Sequence, residues 1–291
     1  MKITNHFNLP QPLVDSVNSD EWYEKGDCDI SVTQLIGPPQ IRLLTEKHND
    51  EIEQDVTDRI FMLFGSAVHN ILEKADTTGY INERRFISTV DGMRIGGQVD
   101  LIHIEDGILY DYKTTSAWSL IYEVNGKPEW EQQTNCYAWL AEQEGVEINQ
   151  IKIVCILKDW SKGQAQKKFD YPKQPVVTLN IPKWDKDKAD TYIKSRVQLH
   201  KTAEDTKIHP PCSPKERWAK EGKIAVMKTG RKVALKLFNE NQTQQAYEMA
   251  QKNTGAYIEH RIGKSVRCQD YCPVAPHCPQ WAKLQGGNTD E

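Results

Sequence analysis

The chain has no apolar run long enough to cross a bilayer, and its longest apolar stretches have the length of single strands. Its first residues, MKITNHFNLPQPLVDS, lack the apolar stretch of a signal peptide, so a cytosolic protein without membrane contact is expected. A surplus of basic charge is missing too: 37 Lys and Arg against 41 Asp and Glu leave a formal net charge of −4. The overall basic footprint that usually marks phosphate binding is therefore absent. That balance still leaves room for a local basic face, and bound divalent cations would answer clustered acids. No internal repeat occurs, and nothing of low complexity outside the polar tail GGNTDE, which excludes solenoid architectures. What is there, 291 residues with 38% hydrophobic and 27% charged side chains, suits one large soluble domain or two modest ones.

Residues 1–30 mix Pro, Asn and acids without a period and read as an extended lead-in. A helix starts at Ser31 and is interrupted by Pro38 and Pro39. From about Glu51 to Ala75, residues Ile60, Phe61, Phe64, Val68, Ile71 and Leu72 recur at helical spacing. Gly65 is an isolated helix-weakening residue inside that pattern, which asks for a packing or functional reason. Tyr80–Val90, Arg94–Ile104 and Gly107–Tyr112 read as three strands divided by the turn dipeptides Asp91-Gly92 and Asp106-Gly107. A helix over Trp130–Glu144 ends at Gly145, and Ile148–Leu157 reads as a buried strand. Residues 160–182 predict a loop and an edge strand, Trp184 to about Thr206 a helix, and the remainder a shorter α/β stretch before a cluster of cysteines.

Asp100 lies late in the second strand and Asp111 and Lys113 at the end of the third. Positions i and i+2 of a strand share a face, so Asp111 and Lys113 are neighbours, and a hairpin brings Asp100 near them. Two carboxylates form a hard oxygen site for Mg²⁺ or Mn²⁺, to which Tyr112 can add its backbone carbonyl. A lysine beside such a metal orients water, helps deprotonate it, or stabilises charge on a phosphate. On its own an Asp-x-Lys triplet is equally an ordinary charge pair on a solvated strand edge.

Four motifs in fixed order carry more. Gly65-Ser66-Ala67-Val68-His69 is a G-x-x-x-H on the first helix, with Glu73 one turn on. Gly97-Gln98-Val99-Asp100 is a G-x-x-D, Asp111-Tyr112-Lys113 a D-x-K, and Gln133-Thr134-Asn135-Cys136-Tyr137 a Q-x-x-x-Y on the next helix. Together they resemble the PD-(D/E)XK nuclease superfamily, specifically RecB-like exonucleases of CRISPR-associated and phage recombination type. The resemblance covers residues 60–158 and extends to the late cysteines.

It implies an α/β, restriction-endonuclease-like core of helix, three-strand meander, helix and strand, with helical N-terminal and cysteine-bearing C-terminal extensions. The corresponding division is 1–52, 53–183 and 184–291. It further implies that His69, Asp100 and Asp111 bind metal, that Lys113 is catalytic, and that Gln133 and Tyr137 contact the substrate strand. The function implied is metal-dependent hydrolysis of DNA, from ends or single strands, in recombination, repair or phage DNA processing in a bacterial or phage-infected cell. The alternative is a non-catalytic DNA-binding accessory protein that keeps the fold. Read from chemistry alone, His69 is either a ligand favouring Mn²⁺ over Mg²⁺ or a satisfied core histidine. Gln133 and Tyr137 share a helical face, where Tyr137 either packs or meets DNA. Glu73 either orients His69 or is a surface residue. Trp118, Tyr122 and Trp130 form an aromatic stretch able to stack on bases, with core packing expected of at least one.

Of the seven cysteines, Cys28, Cys136 and Cys155 are scattered, whereas Cys268, Cys272 and Cys278 lie together and Cys212 lies upstream. In a reducing compartment a cluster points to metal ligands rather than disulfides. Several RecB-like nucleases carry three late cysteines and a distant one around a [4Fe–4S] cluster. This chain is similar, with Cys212 as fourth ligand, but departs in the wider first gap and in the distant cysteine following the core. Cys28 is a rival fourth ligand, and zinc held by three cysteines and His277 is a rival occupant.

Overall fold

In the computed structural model residues 1–18, 26–75 and 77–286 are described; residues 19–25 of the expected lead-in and most of the polar tail lie outside them. The chain forms two compact units, one from residues 1–43 and 49–209 and the other from 44–48 and 210–291. The first begins with β1 (Lys2–Thr4), α1 (Gln11–Asn18), β2 (Ile30–Ser31) and α2 (Val32–Ile36). After α3 (Pro39–Lys47) come β3 (Glu53–Asp55), α4 (Val56–Glu73), β4 (Tyr80–Val90), β5 (Met93–His103) and β6 (Ile108–Thr115). It ends with α5 (Ala117–Tyr122), α6 (Pro128–Gln143), β7 (Gln150–Leu157), α7 (Lys162–Lys167), β8 (Val176–Ile181) and α8 (Lys186–Thr206). The expected α/β order of helix, meander, helix and strand is observed as α4, β4 to β6, α6 and β7.

Local chemistry sets the boundaries. Ser31 and Gln34 form a capping box that starts α2, and Asp55 and Asp58 do the same for α4. Asp91 and Gly92 both adopt positive φ, 47° and 81°, as a two-residue hairpin turn of mirror type requires. That turn pairs Val90 with Met93 and fixes the β4–β5 register along both strands. β7 is the buried strand, with Ile151, Ile153, Cys155 and Leu157 facing inward between parallel β6 and antiparallel β8. Each such aliphatic side chain contributes about 1.5–3 kcal/mol on burial. α6 is sandwiched: Cys136 to Ala141 are all buried, and Trp139 donates to Asp190 of α8 at 2.6 Å.

Two expectations need correction. The lead-in, expected to be extended, contains the helix α1. On α4, whose helical spacing is borne out, Phe61, Phe64 and Ile71 are 64%, 44% and 71% exposed. The side of α4 turned toward the sheet carries Gly65, Ser66 and His69 instead, which line a cleft. The loop expected over 160–182 also contains α7, while the edge strand is present as β8.

The second unit holds β9 (Ala219–Lys220), β10 (Lys223–Lys228), β11 (Lys236–Asn239), α9 (Thr243–Lys252), β12 (Ala256–Arg261) and β13 (Lys264–Ser265), then α10 (Val266–Asp270) and α11 (Pro279–Gly286). β11, β10 and β12 form an antiparallel sheet whose core, Ile224, Val226 and Phe238, is closed by Ala246 of α9.

Candidate active site

β5 is where the sheet opens. One edge of β5 pairs with β4 along its length. The other edge is shared: β2 pairs at Ile95 and Gly96, and β6 pairs from Leu101 to His103. Between them β6 leaves β5 after the Leu101–Tyr110 rung, so the Tyr112 N–H has no partner in the β5 ladder. The Asp100 carboxylate accepts it at 2.6 Å. Asp100 is thereby fixed at the fork, 8% exposed, with Asp111 on β6 only 2% exposed.

Asp111 and Lys113 lie on one face of β6 as period two requires, and the Lys113 ammonium stands 2.6 Å from Asp111 Oδ2. From α4, His69 Nδ1 lies 3.4 Å from Glu83 Oε1 and 3.7 Å from Asp100 Oδ1. Ligand atoms of His69, Glu83 and Asp100 all lie within 4.8 Å of one another. Glu73, which sequence offered as the partner of His69, is exposed on the rim of the cleft, and Glu83 takes that place.

Glu83 is the residue that motif reading misses. The register that pairs Asn82 with Leu101 and Arg84 with Val99 sets Glu83 across from Asp100. Glu83 adopts φ 46°, a conformation that costs a residue with a β-carbon free energy and is kept where surroundings impose it. Gln98 holds its other oxygen at 2.8 Å and also accepts from Arg85 at 3.0 Å. The signal was available: seven rungs back from Val90 and seven forward from Met93 meet at Glu83 and Asp100.

The charges of the cluster act strongly on one another. Burial pushes the Asp100 carboxyl up to about 7, and the Asp111 charge adds to it, against opposition from Lys113, His69 and the Tyr112 N–H. Burial lowers the Lys113 pKa, but the Asp111 and Asp100 charges outweigh it and the net shift is upward. The Glu83 hydrogen bond raises His69, burial opposes it, and Asp100 raises it further.

The Asp100 shift has a consequence for the metal-free protein. Its folded pKa lies above the unfolded value of 3.8, so the folded state keeps a proton that the unfolded state releases between about pH 4 and 7. Stability falls as pH rises through that window. Asp100→Asn is therefore expected to melt above wild type at pH 8 in EDTA, with the gap closing toward pH 4. Thermal melts at several pH values check this, and a lower melting temperature for the variant at pH 8 would contradict it.

The cleft has a volume of about 720 Å³ and includes Met62, Gly65, His69, Glu83, Arg85, Asp100 and Tyr137 in its walls. Gly97 and Tyr137 belong to different motifs but to one contact: a β-carbon on Gly97 would sit 2.7 Å from the Tyr137 ring. Glycine is thus required for the ring to lie on β5. Tyr137 is 7% exposed and accepts from Gln133 Nε2 at 2.8 Å. A β-carbon on Gly65 would meet Thr114 Oγ1 at an ordinary 3.5 Å, so packing does not demand glycine there. Of the aromatic stretch, Trp130 packs against the core, whereas Trp118 and Tyr122 are 37% and 81% exposed.

In the second unit Cys212 and Cys278 are buried and Cys268 and Cys272 half-buried. Burial raises the Cys212 thiol to about 12, with the charges of Glu216, Cys278 and Cys268 adding to it. Cys268 is raised by burial and then by Cys272 and Cys278. Cys278 and Cys268 thus each interact with the other cysteines, although among the described residues no three of these sulfurs lie within 4.8 Å of one another. Gln280 pins Cys212 in place, accepting from its N–H and donating to its carbonyl, both at 2.8 Å. Backbone N–H groups of Val274 and Ala275 point at Cys272, and that of Trp281 lies 3.4 Å from Cys278 Sγ. Cys28 packs instead in the first unit against Gly96, and the His277 ring stacks on His48 at 4.3 Å.

The family model of the PD-(D/E)XK nuclease superfamily matches residues 78–279, more than half of the chain. The chain belongs to this superfamily, and its α/β fold is restriction-endonuclease-like. No curated protein matches it. Similar solved structures include SSO0001, with TM-score 0.43 and 16% identity over 64% of this chain and 84% of that one. LHK-Exo, an alkaline exonuclease from Laribacter hongkongensis solved with dAMP, gives 0.39 and 13% over 61% of this chain and 90% of its own. A phage-related exonuclease from Haemophilus somnus 129PT gives 0.31 and 13% over 57% and 71%. Among the described residues no helix is long and apolar enough to cross a membrane.

Proposed function

We propose that the chain is a metal-dependent deoxyribonuclease that works as an exonuclease on DNA ends or single strands. The observation that carries this is the gathering of His69, Glu83, Asp100, Asp111 and Lys113 at the fork between β5 and β6. Opposed carboxylates on neighbouring strands are destabilising unless a cation lies between them. The donor set of one imidazole and two carboxylates, His69, Glu83 and Asp100, therefore fits a divalent ion, with Asp111 beside it against Lys113 and the imidazole favouring Mn²⁺ over Mg²⁺. The Tyr112 carbonyl is a further candidate ligand. Such an ion, when bound, supplies Lewis acidity and an acidified water.

The chain's own residues have separable roles. Asp100 and Asp111 hold charge at the fork, and the Tyr112 N–H fixes the orientation of Asp100. Lys113, kept protonated by Asp111 and Asp100, stabilises the negative charge that builds on the attacked phosphate. Arg85 offers a second cation from the cleft wall. Tyr137 and Gln133, bonded to each other, present an edge to the substrate strand. Preference for ends rests on the motif resemblance to RecB-like exonucleases. In the second unit, a [4Fe–4S] cluster on Cys212, Cys268, Cys272 and Cys278 rests on the cysteine spacing and is supported by the N–H groups aimed at Cys272 and Cys278; structural zinc is the alternative.

The test is incubation with end-labelled linear and with circular single-stranded DNA, in Mg²⁺ or Mn²⁺. Linear DNA is expected to be degraded and circles spared; degraded circles would replace exonuclease with endonuclease. No cleavage with either metal would leave a DNA-binding accessory protein. Glu83→Gln and His69→Ala are each expected to weaken Mn²⁺ binding by about tenfold or more, and Glu73→Gln to leave it unchanged. Calorimetric titration separates them, and unaltered Mn²⁺ affinity in Glu83→Gln would remove Glu83 from the ligand set.

A further inference from the structure

Phe61 and Met62, on the turn of α4 before Gly65, are 64% and 48% exposed. The Lys158 ammonium, just past β7, stands 3.5 Å from the Phe61 ring centroid. Lys158 is anchored by its N–H, which donates to the Thr115 carbonyl at 3.0 Å. Its neighbour Asp159 accepts the Ala117 N–H at 2.6 Å and so fixes the start of α5. There Trp118, 37% exposed, has the Lys168 ammonium 4.3 Å from its ring centroid. The Trp118 edge rests on Tyr171, 6.1 Å between centroids, and Tyr171 is buried with its hydroxyl bonded to Ser161 and Asp159. The Trp118 ring therefore stands on a rigid support, and the lysine over Phe61 rises from anchored backbone.

We propose that these two ring–lysine pairs, Phe61 with Lys158 and Trp118 with Lys168, are a track for single-stranded DNA leading to the cleft; this rests on the nuclease reading above. Continuity is the first argument. Met62 and Gly65 line the cleft, and Phe61 precedes His69 by eight residues, about 12 Å along a helix. Charge complementarity is the second. A strand offers π-faces and phosphates in alternation, and each pair offers one ring and one ammonium. A base stacks on the ring while the flexible lysine moves from the ring to the adjacent phosphate. Stacking of this kind tolerates any sequence, as suits an enzyme that processes whatever strand it holds.

Fluorescence anisotropy with labelled oligo-dT of 4 and 12 nucleotides, on the full chain in EDTA, tests the track. Phe61→Ala and Trp118→Ala are each expected to weaken 12-mer binding by about tenfold. Phe61→Trp should keep it, and Ile104→Ala, in the turn between β5 and β6, should change nothing. Affinities within twofold of wild type in both alanine variants would overturn the proposal. Cleavage with Mn²⁺ is scored separately. Ring-dependent binding without cleavage would leave the track and remove the nuclease; cleavage with ring-independent binding would do the reverse.

Discussion

Alanine in place of Asp111 or Lys113 is expected to lower single-turnover DNA cleavage by at least ~10²–10³-fold, the range for removing one preorganised electrostatic group from an active site. The two losses differ in kind. Asp111 is 2% exposed and Lys113 stands 2.6 Å away, so each answers the other's charge. Lys113→Ala leaves a buried carboxylate without its counter-ion, and in EDTA its melting temperature should fall. A divalent metal should recover much of that loss while activity stays absent. Asp111→Ala removes one of the mutually repelling carboxylates, so metal should no longer stabilise it. Melting curves with and without Mn²⁺, run beside the cleavage assay, read both. Near-wild-type cleavage by either variant would make the assignment of the site wrong.

The cysteines carry the second large effect. Anaerobically purified protein is expected to be brown, with about four irons per chain if a [4Fe–4S] cluster is held by four thiolates. Linking Cys212 to Cys268 closes a loop of roughly fifty-five residues, and such closure stabilises by restricting the unfolded chain. Cys212→Ala, Cys272→Ala and Cys278→Ala should each give colourless protein, cut by protease within the second unit before the first. Cys28→Ala should stay brown, because Cys28 packs against Gly96 in the first unit. Stoichiometric zinc without iron or acid-labile sulfide would put a structural zinc site there instead.

Most of this site is legible in the sequence because it depends on short periods. Asp111 and Lys113 share a face because a strand repeats every two residues, and Gln133 meets Tyr137 because a helix repeats near four. Glu83 was hidden because its role comes from pairing across strands rather than spacing along one. Only the turn at Asp91-Gly92, carried through the register, puts it opposite Asp100. The apolar spacing of α4 identifies the helix but is silent on its buried face for a related reason. Periodicity reports which side chains share a face, but not whether that face meets the sheet, and here the sheet is met by Gly65, Ser66 and His69. The link between Gly97 and Tyr137 also lay beyond one-dimensional reading, since glycine is required there only by a ring from another element.

The central claim is that the fork between β5 and β6 is a divalent-metal site whose lysine acts on the substrate rather than on the metal. Electron paramagnetic resonance of free Mn²⁺, titrated with protein at pH 8, tests it directly. Wild type and Lys113→Ala are expected to remove Mn²⁺ from solution with matching stoichiometry, although only wild type cleaves DNA, and the Asp100→Ala, Asp111→Ala double variant should leave Mn²⁺ free. Undiminished Mn²⁺ binding by that double variant would contradict the account.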